Sequence, residues 1–277
     1  MILVTGATGN IGSEIVRQLV QEGRRIRVLS RNPEKVSQFP KSVEFVKGDL
    51  QEPDTLKATF AGIEKAFLLA HAMELPIITR KFVEVAKKAG VKHIVLNSSS
   101  MPPKTKIGGW HLEAENILKS SGLDWTMLRP GNLVSNTVRW AEMIRSQGAV
   151  FSPGNEKTVP IDPRDVGVVA AKVLIGTGHE GKTYALTGPE ALSPSEQLDC
   201  IAKAIGKTLK FVEVSIQVAR ANMLKSGMPE LLVDAILELM RVDGPEATRT
   251  TTTVLEITGR PARNYAEWVK DHSKLFT

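Results

Sequence analysis

Gly6, Gly9 and Gly12 are spaced G-x-x-G-x-x-G between the apolar run Ile2, Leu3, Val4 and a segment where Ile11, Ile15 and Leu19 recur at helical spacing. The short branched run reads as a buried strand and the periodic segment as an amphipathic helix, so the glycines occupy a strand-to-helix turn. A helix that starts there points unpaired N–H groups and a partial positive charge at whatever lies above the sheet edge, which is an anion site. The first glycine serves the turn, the second keeps Cβ out of a pyrophosphate's path, and the third allows close helix–strand packing. Gly6, Thr8, Gly9, Asn10, Ile11 and Gly12 are therefore the expected phosphate-binding residues. The turn lacks the Gly-Lys-Ser/Thr ending of a nucleoside-triphosphate loop.

Later strand ends extend the same crevice. Where a cofactor with a free ribose 2′-hydroxyl usually meets an acid, this chain reads "VLSRNP", and Ser30 and Arg31 suit a 2′-phosphate instead. NADP(H) is expected over NAD(H), with NAD(H) retained as the alternative. Asp49 and Leu50 of "KGDL" fall at the adenine end, where Asp49 either accepts from the adenine amino group or caps the following helix. Leu69, Ala70 and His71 lie at the switch point, with His71 open to both a surface and a ligand role. Ser98, Ser99 and Ser100 end the fifth strand, and Pro130, Gly131 and Asn132 of "RPGN" end the sixth.

The elements that position these residues alternate. Strands are predicted at "RIRVLS", "VEFVKG", "KAFLLA", "KHIVLNS" and "DWTMLRP", with helices at about 11–22, 53–60, 76–89 and 110–120. Such alternation implies crossover connections and an α/β fold, a doubly wound parallel-sheet Rossmann domain. Asn32-Pro33, Asp162-Pro163 and "SPSE" at Ser193 to Glu196 read as helix caps, so these Asp and Ser residues are structural. Beyond Pro130, helices at about 134–146, 165–175, 194–205, 216–226 and 229–241 and strands at "TYALTG" and "LKFVEV" suggest a smaller α+β C-terminal lobe. "TRTTTTV" at 248–254 reads as a surface loop. The 277 residues form one NAD(P)-binding domain, with a dinucleotide-binding core at 1–132 and a substrate-binding lobe at 133–277 that returns some segments to the sheet.

Composition narrows the function classes. A single cysteine, Cys200, excludes an internal disulfide framework, and five scattered histidines have no metal-ligand spacing, so no metal site is expected. The net charge of +6 is spread along the chain without a basic run interleaved with aromatics, which argues against nucleic-acid binding. A strand at the first residues and the absence of a long apolar run point to a cytoplasmic protein without a membrane segment. It is expected to be a monomer or homodimer.

"VTGATGNIG", "GDL", "HLEAENILKSSGLDWTMLRPGNLVSN", "IDPRDVGVVAAKVL", "GKTYALTGPEALSPSEQL" and "ITGRPARNYAEWVKDH" together resemble the NmrA-like branch of atypical short-chain dehydrogenases/reductases over nearly the whole chain. That branch includes quinone oxidoreductases, triphenylmethane reductase and regulatory redox sensors. Ordinary short-chain dehydrogenases carry Tyr-x-x-x-Lys on the helix after the fifth strand, where lysine lowers the tyrosine pKa for proton exchange with a carbonyl. Here that helix reads "KIGGWHLEAENIL": Ile107 stands at the tyrosine position and His111 at the lysine position. The resemblance implies that His111 contacts the nicotinamide ribose and acts as the catalytic residue, supplying a proton from a pKa near neutrality. Glu115, four residues on, would orient or charge it.

Without the acid/base pair, sugar epimerase and ordinary alcohol dehydrogenase chemistry are disfavoured. Hydride transfer from NADPH to a small apolar acceptor such as a quinone or conjugated dye is favoured. The rival reading is a non-catalytic NADP(H) redox sensor that binds a protein partner. Ser99, Trp110, Asn132 and Met228 are the expected substrate contacts, with Met228 at the turn of a helical pair covering the crevice.

Overall fold

Strand side chains alternate between two apolar faces, so the sheet must be covered on both sides. The computed structural model describes residues 1–240 and 245–277. Its strands are β1 (Ile2–Val4), β2 (Ile26–Ser30), β3 (Glu44–Lys47), β4 (Lys65–Leu68), β5 (His93–Asn97), β6 (Asp124–Pro130), β7 (Ala149–Ser152), β8 (Lys182–Leu186) and β9 (Lys210–Glu213). Its α-helices are α1 (Asn10–Gln21), α2 (Pro53–Thr59), α3 (Leu75–Lys88), α4 (Lys106–Lys119), α5 (Ala141–Gln147), α6 (Pro163–Ile175), α7 (Pro194–Ile205), α8 (Ile216–Lys225), α9 (Glu230–Leu239), α10 (Thr253–Thr258) and α11 (Tyr265–His272).

Seven parallel strands form one sheet in the order β3-β2-β1-β4-β5-β6-β8. Strand order reverses between β1 and β4, the switch point at which a doubly wound sheet opens a crevice. Ile2, Val4, Phe67, Val95 and Leu128 face α1 and α6. Leu3, Ala66, Leu68, Ile94, Leu96 and Met127 face the opposite layer with α3 and α4. Close approach of α1 and α6 requires Gly167, where an added Cβ would stand 2.7 Å from the Glu14 Cβ. The chain is an α/β Rossmann fold with a smaller C-terminal lobe, as read from the strand and helix pattern.

The lobe has its own core, in which Trp140, Ile144, Val150, Leu198, Ile201, Tyr265 and Trp268 pack together. β7 and β9 pair there as a separate two-stranded parallel sheet. From the same half of the chain, β8 joins the main sheet beside β6, and α6 packs along α1.

Several elements differ from expectation. The segment predicted as a helix at 134–146 is a 3-10 turn over Val134–Trp140 followed by α5. Its buried residues, Val134, Thr137 and Trp140, repeat every third position, the period of a 3-10 turn rather than an α-helix. After Asn32-Pro33 the chain makes only the 3-10 turn Glu34–Val36, although the Asn32 Oδ1 does accept the Glu34 N–H at 2.9 Å. Asp162 caps α6 and Ser193 forms the reciprocal cap of α7 with Glu196. The threonine-rich stretch is not loop throughout: α10 starts at Thr253 and buries Val254 against the core shared with α6. Residue 241, the end of the predicted 229–241 helix, lies outside the described residues; α9 spans Glu230–Leu239. No helix among the described residues is long and apolar enough to cross a membrane.

Candidate dinucleotide and hydride-transfer site

Thr5 follows β1, is buried and ties the switch point together. Its hydroxyl accepts the Leu69 N–H at 2.9 Å and lies 3.1 Å from the Phe67 carbonyl, to which it donates. Thr5 was not among the expected site residues, because a threonine ending a strand carries no motif. The chain then turns at Gly6, whose φ of +62° favours glycine. An added Cβ at Gly6 would meet the Leu69 side chain at 3.1 Å, so the turn and the β4 end are direct neighbours.

The three glycines divide their duties. At Gly12, a Cβ would stand 2.2 Å from the Gly6 carbonyl oxygen, so this glycine is required by packing alone. Gly9 precedes α1 with ordinary extended backbone and no side-chain cap, and a Cβ there would meet only the Gly6 oxygen, at 3.3 Å. The α1 N-terminus thus keeps uncapped N–H groups beside a residue stripped of its side chain, an arrangement that fits a pyrophosphate. Thr8 is half-buried, while Gly9 and Asn10 are exposed at the mouth. Ile11 is buried, its side chain in the core under α1.

At the other end of the crevice, Arg31 and Asp49 come together, with the Arg31 Nη1 3.6 Å from the Asp49 Oδ2. Ser30 is occupied within its own loop, its Oγ 3.2 Å from both the Asn32 nitrogen and oxygen. Of the two roles weighed for Asp49, the structure displays a third: its Oδ1 accepts the Gln51 N–H at 3.0 Å, while Glu52 precedes α2. Leu50 packs on the core at this edge. Leu69 and Ala70 are half-buried and His71 is exposed.

Beneath the ends of β5 and β6, where the nicotinamide is expected, lies a buried ionic network. Glu115 is 1% exposed and accepts from the Arg129 Nε at 2.7 Å, the Arg129 Nη2 at 2.5 Å and the Ser98 hydroxyl at 2.6 Å. Burial pushes its pKa up, but the Arg129 and Ser98 hydrogen bonds outweigh it and hold the carboxyl below its ordinary range. Two expectations change. Ser98 is buried with its hydroxyl spent on Glu115, so it supports the crevice from below and presents no hydroxyl to a cofactor. Glu115 is held by Arg129 and Ser98 and orients them; no hydrogen bond joins it to His111.

His111 sits one turn earlier on α4, half-buried, with its Nδ1 buried and without a hydrogen-bond partner. Burial lowers its pKa to about 4 against the opposing field of Glu115. The expected proton supply from a near-neutral pKa therefore does not hold: at neutral pH the imidazole is uncharged and acts as one donor and one acceptor. At the end of β5 the Asn97 Oδ1 is also buried and unpartnered. Orphaned buried polar atoms are uncommon, and two at this end of the sheet fit a site completed by a polar ligand.

The remaining predicted residues flank this end. The Ser99 Oγ accepts from the Met101 N–H at 3.2 Å, and the Asn132 Oδ1 accepts from the Asn136 Nδ2 at 2.7 Å. Pro130 is buried, and the Gly131 N–H donates to the Leu186 oxygen at 2.9 Å, securing "RPGN" to β8. Trp110 is half-buried on α4. Met228 packs into the small apolar seam that α8 and α9 make for themselves, with Ala219, Val233 and Leu237. α9 packs against α4, where the Lys106 N–H donates to the Glu238 carboxylate at 3.0 Å. Among the described residues, no group of three or more His, Cys, Asp or Glu side chains is placed to hold a metal ion.

Comparison with known proteins is consistent with this geometry. A family model described as NAD(P)H-binding matches residues 6–175. The chain is 36% identical to an NAD(P)H azoreductase of Xenophilus azovorans, across 100% of this chain and 99% of the relative. It is 34% identical to a (4-alkanoyl-5-oxo-2,5-dihydrofuran-3-yl)methyl phosphate reductase of Streptomyces griseus, across 100% and 99%. Among solved structures, it is similar to an NADPH-dependent quinone oxidoreductase of Escherichia coli complexed with NADPH, with a TM-score of 0.85, 26% identity and full coverage of both chains.

Proposed function

The chain belongs to the NAD(P)H-binding family, in its NmrA-like branch of atypical short-chain dehydrogenases/reductases, and is an NAD(P)H-dependent oxidoreductase; we propose that it passes hydride from NADPH to a small conjugated acceptor such as a quinone or dye. NADPH supplies the hydride when bound. The residues suited to hold it are the Gly6–Gly12 turn at the pyrophosphate, Arg31 at the 2′-phosphate, and His111, Gly131 and Asn132 at the nicotinamide end.

The observation that carries the reading is α4 itself, which has no Tyr-x-x-x-Lys pair and carries His111, whose Nδ1 is buried without a partner and whose pKa burial lowers. A site built this way positions its reactants but has no strong proton donor. Quinones, azo compounds and conjugated cations suit it, because hydride addition to them leaves an anion or neutral product that takes its proton from water. The azoreductase and quinone oxidoreductase relatives support that acceptor class. His111 and the half-buried Trp110 offer a hydrogen bond and a flat apolar wall for such a ring.

Saturable NADPH oxidation with a naphthoquinone or an azo dye tests the proposal. Tight NADPH binding without turnover over a broad acceptor panel would favour the redox-sensor reading.

A further inference from the structure

β3 and β4 leave the sheet three strand spacings apart, about 14 Å, with β2 and β1 between them. The loops that follow them nevertheless meet. Gln51, in the loop from β3 to α2, donates from its Nε2 to the Glu74 Oε1 at 2.8 Å, and Glu74 ends the loop from β4 to α3. The Lys81 Nζ, from the second turn of α3, donates to the Gln51 oxygen at 2.8 Å. The Gln51 N–H donates in turn to the Asp49 Oδ1 at 3.0 Å. Gln51 therefore braces the β3 loop against the start of α3.

The brace lies at the C-terminal edge of the sheet, on the face covered by α2 and α3. Leu56, Leu75, Ile78 and Phe82 pack there in one apolar layer, on which Leu50 and Ala70 also rest. α1 covers the other face. The ends of β1 and β2, which lead into the Gly6–Gly12 turn and Arg31, fall between the two. A dinucleotide with its pyrophosphate at the turn and its 2′-phosphate at Arg31 lays its adenosine half across those ends, with α1 on one side and the brace on the other.

We propose that Gln51 and Glu74 are positioning residues for the adenosine half of the cofactor, acting through the two loops they join. The inference rests on the assignment of the adenine end to Asp49 and Leu50, and adds what holds that end in shape. With the brace made, the loops at 48–52 and 69–74 keep their arrangement before the cofactor arrives. Without it, ordering them opposes binding. The Gln51–Glu74 hydrogen bond is exposed, so losing it leaves the stability of the fold nearly unchanged.

Calorimetric titration with NADPH, NADH and 2′,5′-ADP tests the brace. In Gln51→Ala all three affinities are expected to fall about fivefold, within the range for one lost hydrogen bond, because all three ligands carry adenosine. Glu74→Ala should do the same, while Glu74→Gln, whose amide oxygen still accepts, should keep wild-type affinity. The melting temperature of the cofactor-free protein should not move, and a fall that accounts for the lost affinity would overturn the proposal. Arg31→Ala separates the brace from the assignment beneath it, because that change should weaken NADPH and 2′,5′-ADP and spare NADH. If Arg31→Ala behaves so and Gln51→Ala leaves all three ligands unaffected, the adenine end stands and the brace is overturned. If neither variant weakens 2′,5′-ADP, the assignment falls and the proposal with it. A loss for NADPH and NADH that spares 2′,5′-ADP also overturns it, since Gln51 would then act on the nicotinamide half.

Discussion

Arg31 follows β2 with a side chain 76% exposed and the Asp49 carboxylate 3.6 Å away. An exposed pair at that distance contributes little to stability, which leaves the guanidinium available to a 2′-phosphate. Arg31→Ala is expected to weaken NADPH binding by about 1.5 kcal/mol, the low end for hydrogen bonds to charged groups because the site is open, and to leave NADH almost unaffected. Fluorescence titration with both cofactors decides this; equal losses would remove Arg31 from the 2′-phosphate site. At this scale the sequence was legible wherever a residue's type has one backbone meaning. Gly6 and Gly12 are where their positive φ and close packing demand them. It was not legible for Ser98 or Glu115, whose partners lie 14 to 17 residues away, so their roles depend on which side chains the sheet brings together.

α4 carries His111, and its position depends on Glu115. That carboxylate joins the helix to β5 through Ser98 and to β6 through Arg129. Glu115→Ala would strand Arg129 without its partner. Because the Arg129 side chain is 35% exposed and can turn to water, the expected cost is about 2–3 kcal/mol, below the usual penalty for breaking a fully buried pair. Chemical denaturation of the cofactor-free protein measures it, and a loss under about 0.5 kcal/mol would mean the network does not position α4. The first half of the chain was readable as elements because each strand is a short apolar run and each helix has its own apolar periodicity. β7, α10 and α11 were missed for a physical reason. α10 begins within a run of threonines, poor helix formers, and exists because Val254 is buried against the core. The 3-10 turn at Val134–Trp140 shares its composition with a helix, and only its three-residue burial period distinguishes it.

For the molecule as a whole, the imidazoles that burial desolvates, His93, His111 and His179, link stability to pH. Burial depresses the pKa of His93, which lies at the N-terminal end of β5 with its Nε2 2.9 Å from the Thr126 Oγ1, and lowers that of His111 to about 4. The unfolded chain takes up these protons first. The stabilisation is therefore complete above about pH 6.5 and is lost as pH falls toward 4, at about 1.4 kcal/mol per pH unit for each group still neutral in the fold. Thermal melts of the cofactor-free protein from pH 8 to pH 4.5 should show this decline, with a shallower slope in His111→Gln. A melting temperature independent of pH below 6.5 would mean that none of these imidazoles is held neutral.

The same neutrality underlies the proposed chemistry, in which the protein positions NADPH and acceptor while the proton comes from water. The most direct test is the pH dependence of kcat for NADPH oxidation with a saturating naphthoquinone. Because His111 stays uncharged well below neutrality, kcat should be nearly flat between about pH 6 and pH 9. A tenfold fall in kcat for each pH unit above 7, abolished in His111→Ala, would make His111 an obligatory proton donor and contradict the account.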